Sequence, residues 1–176
     1  MLDLRLSGLR LFVSIVSVLS VACGNTTAPT PVTPPSGGVW LGKLNETSCS
    51  AGDFRTCSTS FPSNATFTVR LDLEQTSASV RGGFDLETQP APGSIAPPRR
   101  DVASLSGTIS DDGTLTMEGP VLRSGEPTTT MVLRWRSQIA PDGSMTGGFT
   151  YFQPSPIASL NPLIVEFELQ GLRRTP

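Results

Sequence analysis

From Gly38 onward, apolar and polar residues tend to alternate with a period of two, the pattern of a strand that buries one face and wets the other. The clearest run is Ala65, Phe67, Val69, Leu71 and Leu73, interleaved with Thr66, Thr68, Arg70, Asp72 and Glu74. The same alternation predicts eight strands, near 38–45, 64–74, 78–87, 102–109, 114–119, 128–138, 144–152 and 162–171. Tight turns are expected at Gln75-Thr76-Ser77, Asp111-Asp112-Gly113 and Pro141-Asp142-Gly143, with Asp-Gly a strong hairpin signal. The other connections, near 46–63, 88–101, 120–127 and 153–161, are long. In an up-and-down meander, alternate connections fall at the same end. The long loops therefore gather at one rim, a mouth, and the tight turns close the other. The expected fold is all-β: an eight-stranded antiparallel up-and-down meander closed into a small barrel, with a β-sandwich as the alternative.

A loose repeat, apolar-x-Gly-x-apolar, runs through these strands at Trp40-x-Gly42-x-Leu44, Val80-x-Gly82-x-Phe84, Leu105-x-Gly107-x-Ile109 and Met145-x-Gly147-x-Phe149. Met117-x-Gly119-x-Val121 is a looser fifth copy. Glycine weakens an ordinary strand, so its recurrence on the inward phase points to tight bending or close approach of backbone. The other inward positions are almost all apolar. If the interior is hollow, Phe67, Val69, Phe84, Met117, Leu133, Trp135, Phe149 and Phe167 line a cavity for an apolar ligand; if it is filled, the same residues are its core.

Ahead of residue 38 the alternation disappears. Residues 24–37 are dense in Pro and Thr and read as a semi-extended tether. Before them, Arg5 and Arg10 precede an uncharged, mostly apolar run from Leu11 to Val21, too short to span a bilayer as a helix and followed by the small residue Ala22. Residues 1–22 therefore read as an export signal. Ser20-Val21-Ala22-Cys23 resembles the lipobox of bacterial lipoproteins. That resemblance implies a lipid-modified Cys23 as the mature N-terminus, with palmitate-type acyl chains. It also implies a membrane anchor in the cell envelope, with Gly24 favouring the outer membrane. The expected organisation is a signal peptide at 1–22, a lipidated cysteine and tether at 23–37, and a β-barrel domain at 38–176.

Removing residues 1–22 leaves 11 basic and 14 acidic side chains, interspersed rather than gathered into a stripe, so nucleic acid is not an expected partner. The chain has no histidine, which excludes Ser-His-Asp triads and most zinc sites. No metal or cofactor is expected. Asp72 with Glu74, and Glu166 with Glu168, share strand faces, but their phase points outward to solvent, and catalysis is not expected. Arg99-Arg100 falls in the third long loop, near the mouth, where it is placed to meet an anionic group. With Cys23 committed to lipid, Cys49 and Cys57 remain as a pair in an oxidising compartment and are expected to form a disulfide that staples the first loop.

Gly38-Val39-Trp40 at the start of the first strand resembles the Gly-x-Trp motif of the lipocalins, and Arg173 or Arg174 after the last strand resembles the arginine that packs across that tryptophan. The resemblance implies a barrel floor built from Trp40, Arg173 and Arg174, and a lid in the long first loop. Two functions are carried forward. One is a non-catalytic structural or interaction domain of the envelope, held by its N-terminal lipid and meeting an envelope protein. The other is a lipocalin-like carrier of an apolar small molecule.

Overall fold

The computed structural model describes residues 35–51, 65–95, 97–124 and 130–175. The expected signal peptide, Cys23, nearly all of the tether, Cys57 and the middle of the first loop lie outside them. The strands are β1 (Gly38–Ser50), β2 (Thr66–Thr76), β3 (Ser79–Gln89), β4 (Arg99–Ile109), β5 (Thr114–Arg123), β6 (Val132–Ile139), β7 (Ser144–Gln153) and β8 (Leu163–Arg174). Each pairs antiparallel with the next, and β1 also pairs with β8, so the sheet closes into a barrel rather than a sandwich.

Local chemistry sets the tight-turn end. In the β4–β5 hairpin, Gly113 takes φ 86° and its N–H donates to the Ser110 carbonyl, while the Asp112 carboxylate accepts from the Thr114 N–H at 2.9 Å. The β6–β7 hairpin repeats the device, with Gly143 at φ 77° and Asp142 accepting from the Ser144 N–H at 2.9 Å. Both have the Asp-Gly chemistry that a left-handed residue at a hairpin exit requires. The β2–β3 turn falls at Ser77-Ala78 rather than at Gln75-Thr76-Ser77, because β2 stays in register to the pair Thr76 and Ser79.

The repeated glycines mark close backbone approach. A Cβ on Gly107 would lie 1.9 Å from the Thr116 carbonyl oxygen, and one on Gly82 would lie 2.1 Å from that of Asp72. Neighbouring backbone occupies the volume a side chain would have used, so the strands coil into a narrow barrel. Gly147, at φ 121° beside a register shift in the β7–β8 ladder, lets β7 bend in the same way.

Every apolar position expected to point inward is buried, joined by Leu44, Leu73, Leu86, Ala103, Val121, Ile139 and Leu172. Around the middle of the barrel the core is aromatic. Trp135, Phe149 and Phe167 are register partners on β6, β7 and β8, stacked at centroid distances of 5.5 and 4.8 Å. Phe84 stands on β3, four strands away on the opposite wall, and meets Phe149 edge-on at 5.2 Å. Phe67 of β2 meets Phe167 edge-on at 5.1 Å. Side chains from opposite walls are therefore in contact through the lumen.

Candidate functional site at the open end

Because β1 rises from the turn end, the long connections all emerge at the opposite rim. Several strands run further into that rim than the alternation suggests. Arg99 and Arg100 are the first residues of β4, not loop residues, and the ladder sends them to opposite faces. Arg100 points outward and pairs with Asp85, its Nε 2.8 Å from Oδ1. Arg99 points inward with Asp101, which is completely buried. From the next strand, Arg123 is the register partner of Asp101 and is also buried.

The Asp101 carboxylate is the shared counter-ion of this cluster and accepts a hydrogen bond from Arg123. Its Oδ1 lies 3.4 Å from Arg99 Nε and 3.3 Å from Arg123 Nε, while Oδ2 has no hydrogen-bond partner among the described residues. Arg123 also reaches the Met131 sulfur at 3.8 Å. Thr88, the β3 register partner of Arg99, is buried with its hydroxyl likewise unbonded among the described residues. Below them lies Tyr151, whose phenol is held well above its usual range: burial is the main cause, Asp101 adds to it, and Arg123 and Arg99 oppose it. On β1, the half-buried Glu46 also has its carboxyl pushed upward by desolvation. Among the described residues, two guanidiniums and one carboxylate are gathered inside the mouth. Burial of the Tyr151 phenol favours its protonated form.

The alternation of β4 and β5 contained this cluster, since Asp101 is in phase with Ala103 and Leu105, and Arg123 with Val121. Charge at those positions disguised them as loop. Thr88 and Ser137 are polar residues on the inward phase, and polarity alone hides their burial; Ser137 is buried as the acceptor for the Trp135 indole N–H at 2.8 Å.

At the floor, Trp40 is buried and Arg174 is its register partner on β8, with Arg173 opposite Leu41. The Arg174 guanidinium lies beside Gly38, where a Cβ would come within 2.7 Å of its Nε. The indole N–H donates to the Ser36 carbonyl at 2.8 Å, and Ser36, at the end of the expected tether, is buried and bonded to the Gln75 side chain. All eight candidate lining residues, Phe67 to Phe167, are buried and belong to one continuous core. Cys49 is half-buried on β1, opposite Val165. Asp72, Glu74, Glu166 and Glu168 are exposed as expected, Asp72 lying 3.5 Å from Arg70 and Glu166 accepting from the Ser48 hydroxyl at 2.7 Å.

Three surface depressions lie away from the lumen. One of about 610 Å³ runs along the outer wall between Arg134 and Arg136 of β6 and Glu166 and Glu168 of β8. Another, of about 290 Å³, surrounds Gly83, Val102 and Leu122, and a third, of about 430 Å³, sits at the floor beside Arg174. No family model matches this chain, and no curated protein matches it.

Proposed function

We propose that this chain is a lipid-anchored protein of the bacterial envelope whose barrel is a non-catalytic interaction module. The observation that carries the reading is the contact between Phe84 and Phe149, from strands four apart, which fills the lumen where a carrier would hold its cargo. A barrel of eight strands is wide enough only for its own side chains or one small ligand, and here the side chains meet. The buried ions at the mouth are compatible with the same reading, because a carboxylate held between two guanidiniums ties β4 to β5 and orders the rim.

The anchor rests on the run ending at Ser20-Val21-Ala22-Cys23, with residues 23–37 supplying a spacer and the outer membrane as the destination. The staple rests on Cys49 and Cys57 as the two cysteines left once Cys23 carries lipid. Mass spectrometry of the native N-terminus tests the anchor: acylated Cys23 is expected, and an unmodified peptide beginning elsewhere overturns it. Thermal shift against fatty acids and quinones tests the barrel's role. Ligand binding to the folded state alone stabilises it by about 2.7 kcal/mol at 100 times Kd. An interaction module shows no such shift, and a carrier shows it for at least one ligand.

A further inference from the structure

The inside of the mouth is charged, but two of the connections around it are not. The β3–β4 connection reads Pro-Ala-Pro-Gly-Ser-Ile-Ala-Pro-Pro over 90–98, and the β7–β8 connection reads Pro-Ser-Pro-Ile-Ala-Ser-Leu-Asn-Pro over 154–162. Neither contains a charged residue. Ile95 is fully exposed, Ile157 is 55% exposed and Leu160 44%. These are three of the five large apolar side chains exposed among the described residues, and none belongs to the core. Single exposed apolar residues are ordinary; their concentration at one end, on segments without charge, marks a contact surface.

Both segments are braced. Ser94 N–H donates to the Ala91 carbonyl and Leu160 N–H to that of Ile157, each at 3.0 Å, and prolines restrict φ along both segments. In a ring of eight strands, the β3–β4 and β7–β8 connections stand on opposite sides of the same rim. A protein partner is gripped by apolar anchors clustered in one contiguous, desolvated patch, whereas the strand order puts Ile95 across the ring from Ile157 and Leu160. A bilayer interface is fluid, accepts apolar side chains wherever they meet it and disfavours charge.

We propose that the open rim docks on a lipid bilayer surface, inserting Ile95 on one side and Ile157 with Leu160 on the other. This contact uses the end of the barrel opposite the one where β1 begins, and it is independent of acylation at Cys23. Both native tryptophans, Trp40 and Trp135, are buried, so an indole added at the rim reports its own surroundings.

The test uses the full chain carrying Ile95→Trp or Ile157→Trp, with Ser104→Trp on the outer wall as the control, bound to phosphatidylcholine vesicles with plain or brominated acyl chains. The N-terminal segment can bring every variant to the vesicle, so the readout is depth at the added indole rather than binding. At least twofold lower emission from the added indole is expected in brominated vesicles for both rim variants and no change for the control. Adding Ile157→Ser and Leu160→Ser to Ile95→Trp should relieve the quenching at position 95, as one docked rim requires. Quenching at the rim no greater than at position 104 overturns the proposal and leaves the crests for a protein partner.

Discussion

Asp101 and Arg123 face each other across the β4–β5 ladder inside the barrel, with Arg123 Nε 3.3 Å from Asp101 Oδ1 and both side chains buried. Arg100, next in sequence to Asp101, pairs with Asp85 on the outer wall, where its side chain is 67% exposed. The two pairs share chemistry and differ in solvation. Asp101→Ala removes the carboxylate that Arg99 and Arg123 share inside the barrel, and a loss of about 3–5 kcal/mol is expected. Asp85→Ala should lose no more than about 1 kcal/mol, because water already screens that pair. Urea unfolding of the two variants makes the comparison, and equal losses would contradict the assignment of the inner cluster.

Glycine substitutions separate close approach from mere flexibility. At Gly107 a methyl group would overlap the Thr116 carbonyl, so Gly107→Ala should destabilise by about 1–3 kcal/mol or prevent folding. At Gly83 nothing lies within 4 Å of the added Cβ, and Gly83→Ala should stabilise by about 0.5–1 kcal/mol through the unfolded chain. Melting temperatures of the pair read this out; a stabilising Gly107→Ala would mean that the strands are further apart than described.

Two carboxylates should respond to pH with opposite sign. Asp112 is held below its usual range, chiefly by the Ser110 hydroxyl and then by the Thr114 N–H, so its contribution is present above the ordinary carboxylate range and lost as pH falls through its lowered value. The stability difference between wild type and Asp112→Ala should therefore shrink as pH falls below about 4. Desolvation raises Glu46, so ionising it opposes folding as pH rises from its unfolded value through the raised one. Glu46→Gln should melt higher than wild type at pH 7 and lose that advantage in acid. Calorimetry across pH 3–7 tests both, and a Glu46→Gln variant less stable than wild type at pH 7 would refute the second.

A bridge between Cys49 and Cys57 is checked by thiol labelling of unfolded, unreduced protein. Neither cysteine should react, and both should react after reduction. Reduction should also lower stability by about 2–3 kcal/mol. Stoichiometric labelling of both before reduction would exclude the staple.

The strands were legible because a half-buried strand must alternate, and the run from Ala65 to Leu73 shows it without interruption. Loop parity followed from Asp-Gly at Gly113 and Gly143, since only short turns tolerate that chemistry so compactly. Closure was legible in loop parity and in Gly38-Val39-Trp40, which favoured a barrel; alternation alone tells a side chain which face it occupies, not which wall it meets, and the pairing of Trp40 with Arg174 excludes the sandwich. The mouth cluster was hidden by its own chemistry. Arg99 and Asp101 pair their charges inside the fold, but in the sequence each looks like a residue that belongs in water. Ser36 was hidden by its neighbours, since nothing in a Pro-rich stretch announces that the carbonyl of one serine will accept the indole N–H of Trp40.

The contact of Phe84 with Phe149 is the point on which the reading of a filled barrel turns, and a deliberately emptied interior tests it. Phe84→Ala should lose about 3–5 kcal/mol and leave an apolar cavity able to take benzene. The measurement is the melting temperature of wild type and Phe84→Ala, each with and without saturating benzene. The account predicts no shift for wild type and a rise for the variant; a comparable rise in wild type would show that the lumen is already open and would contradict it.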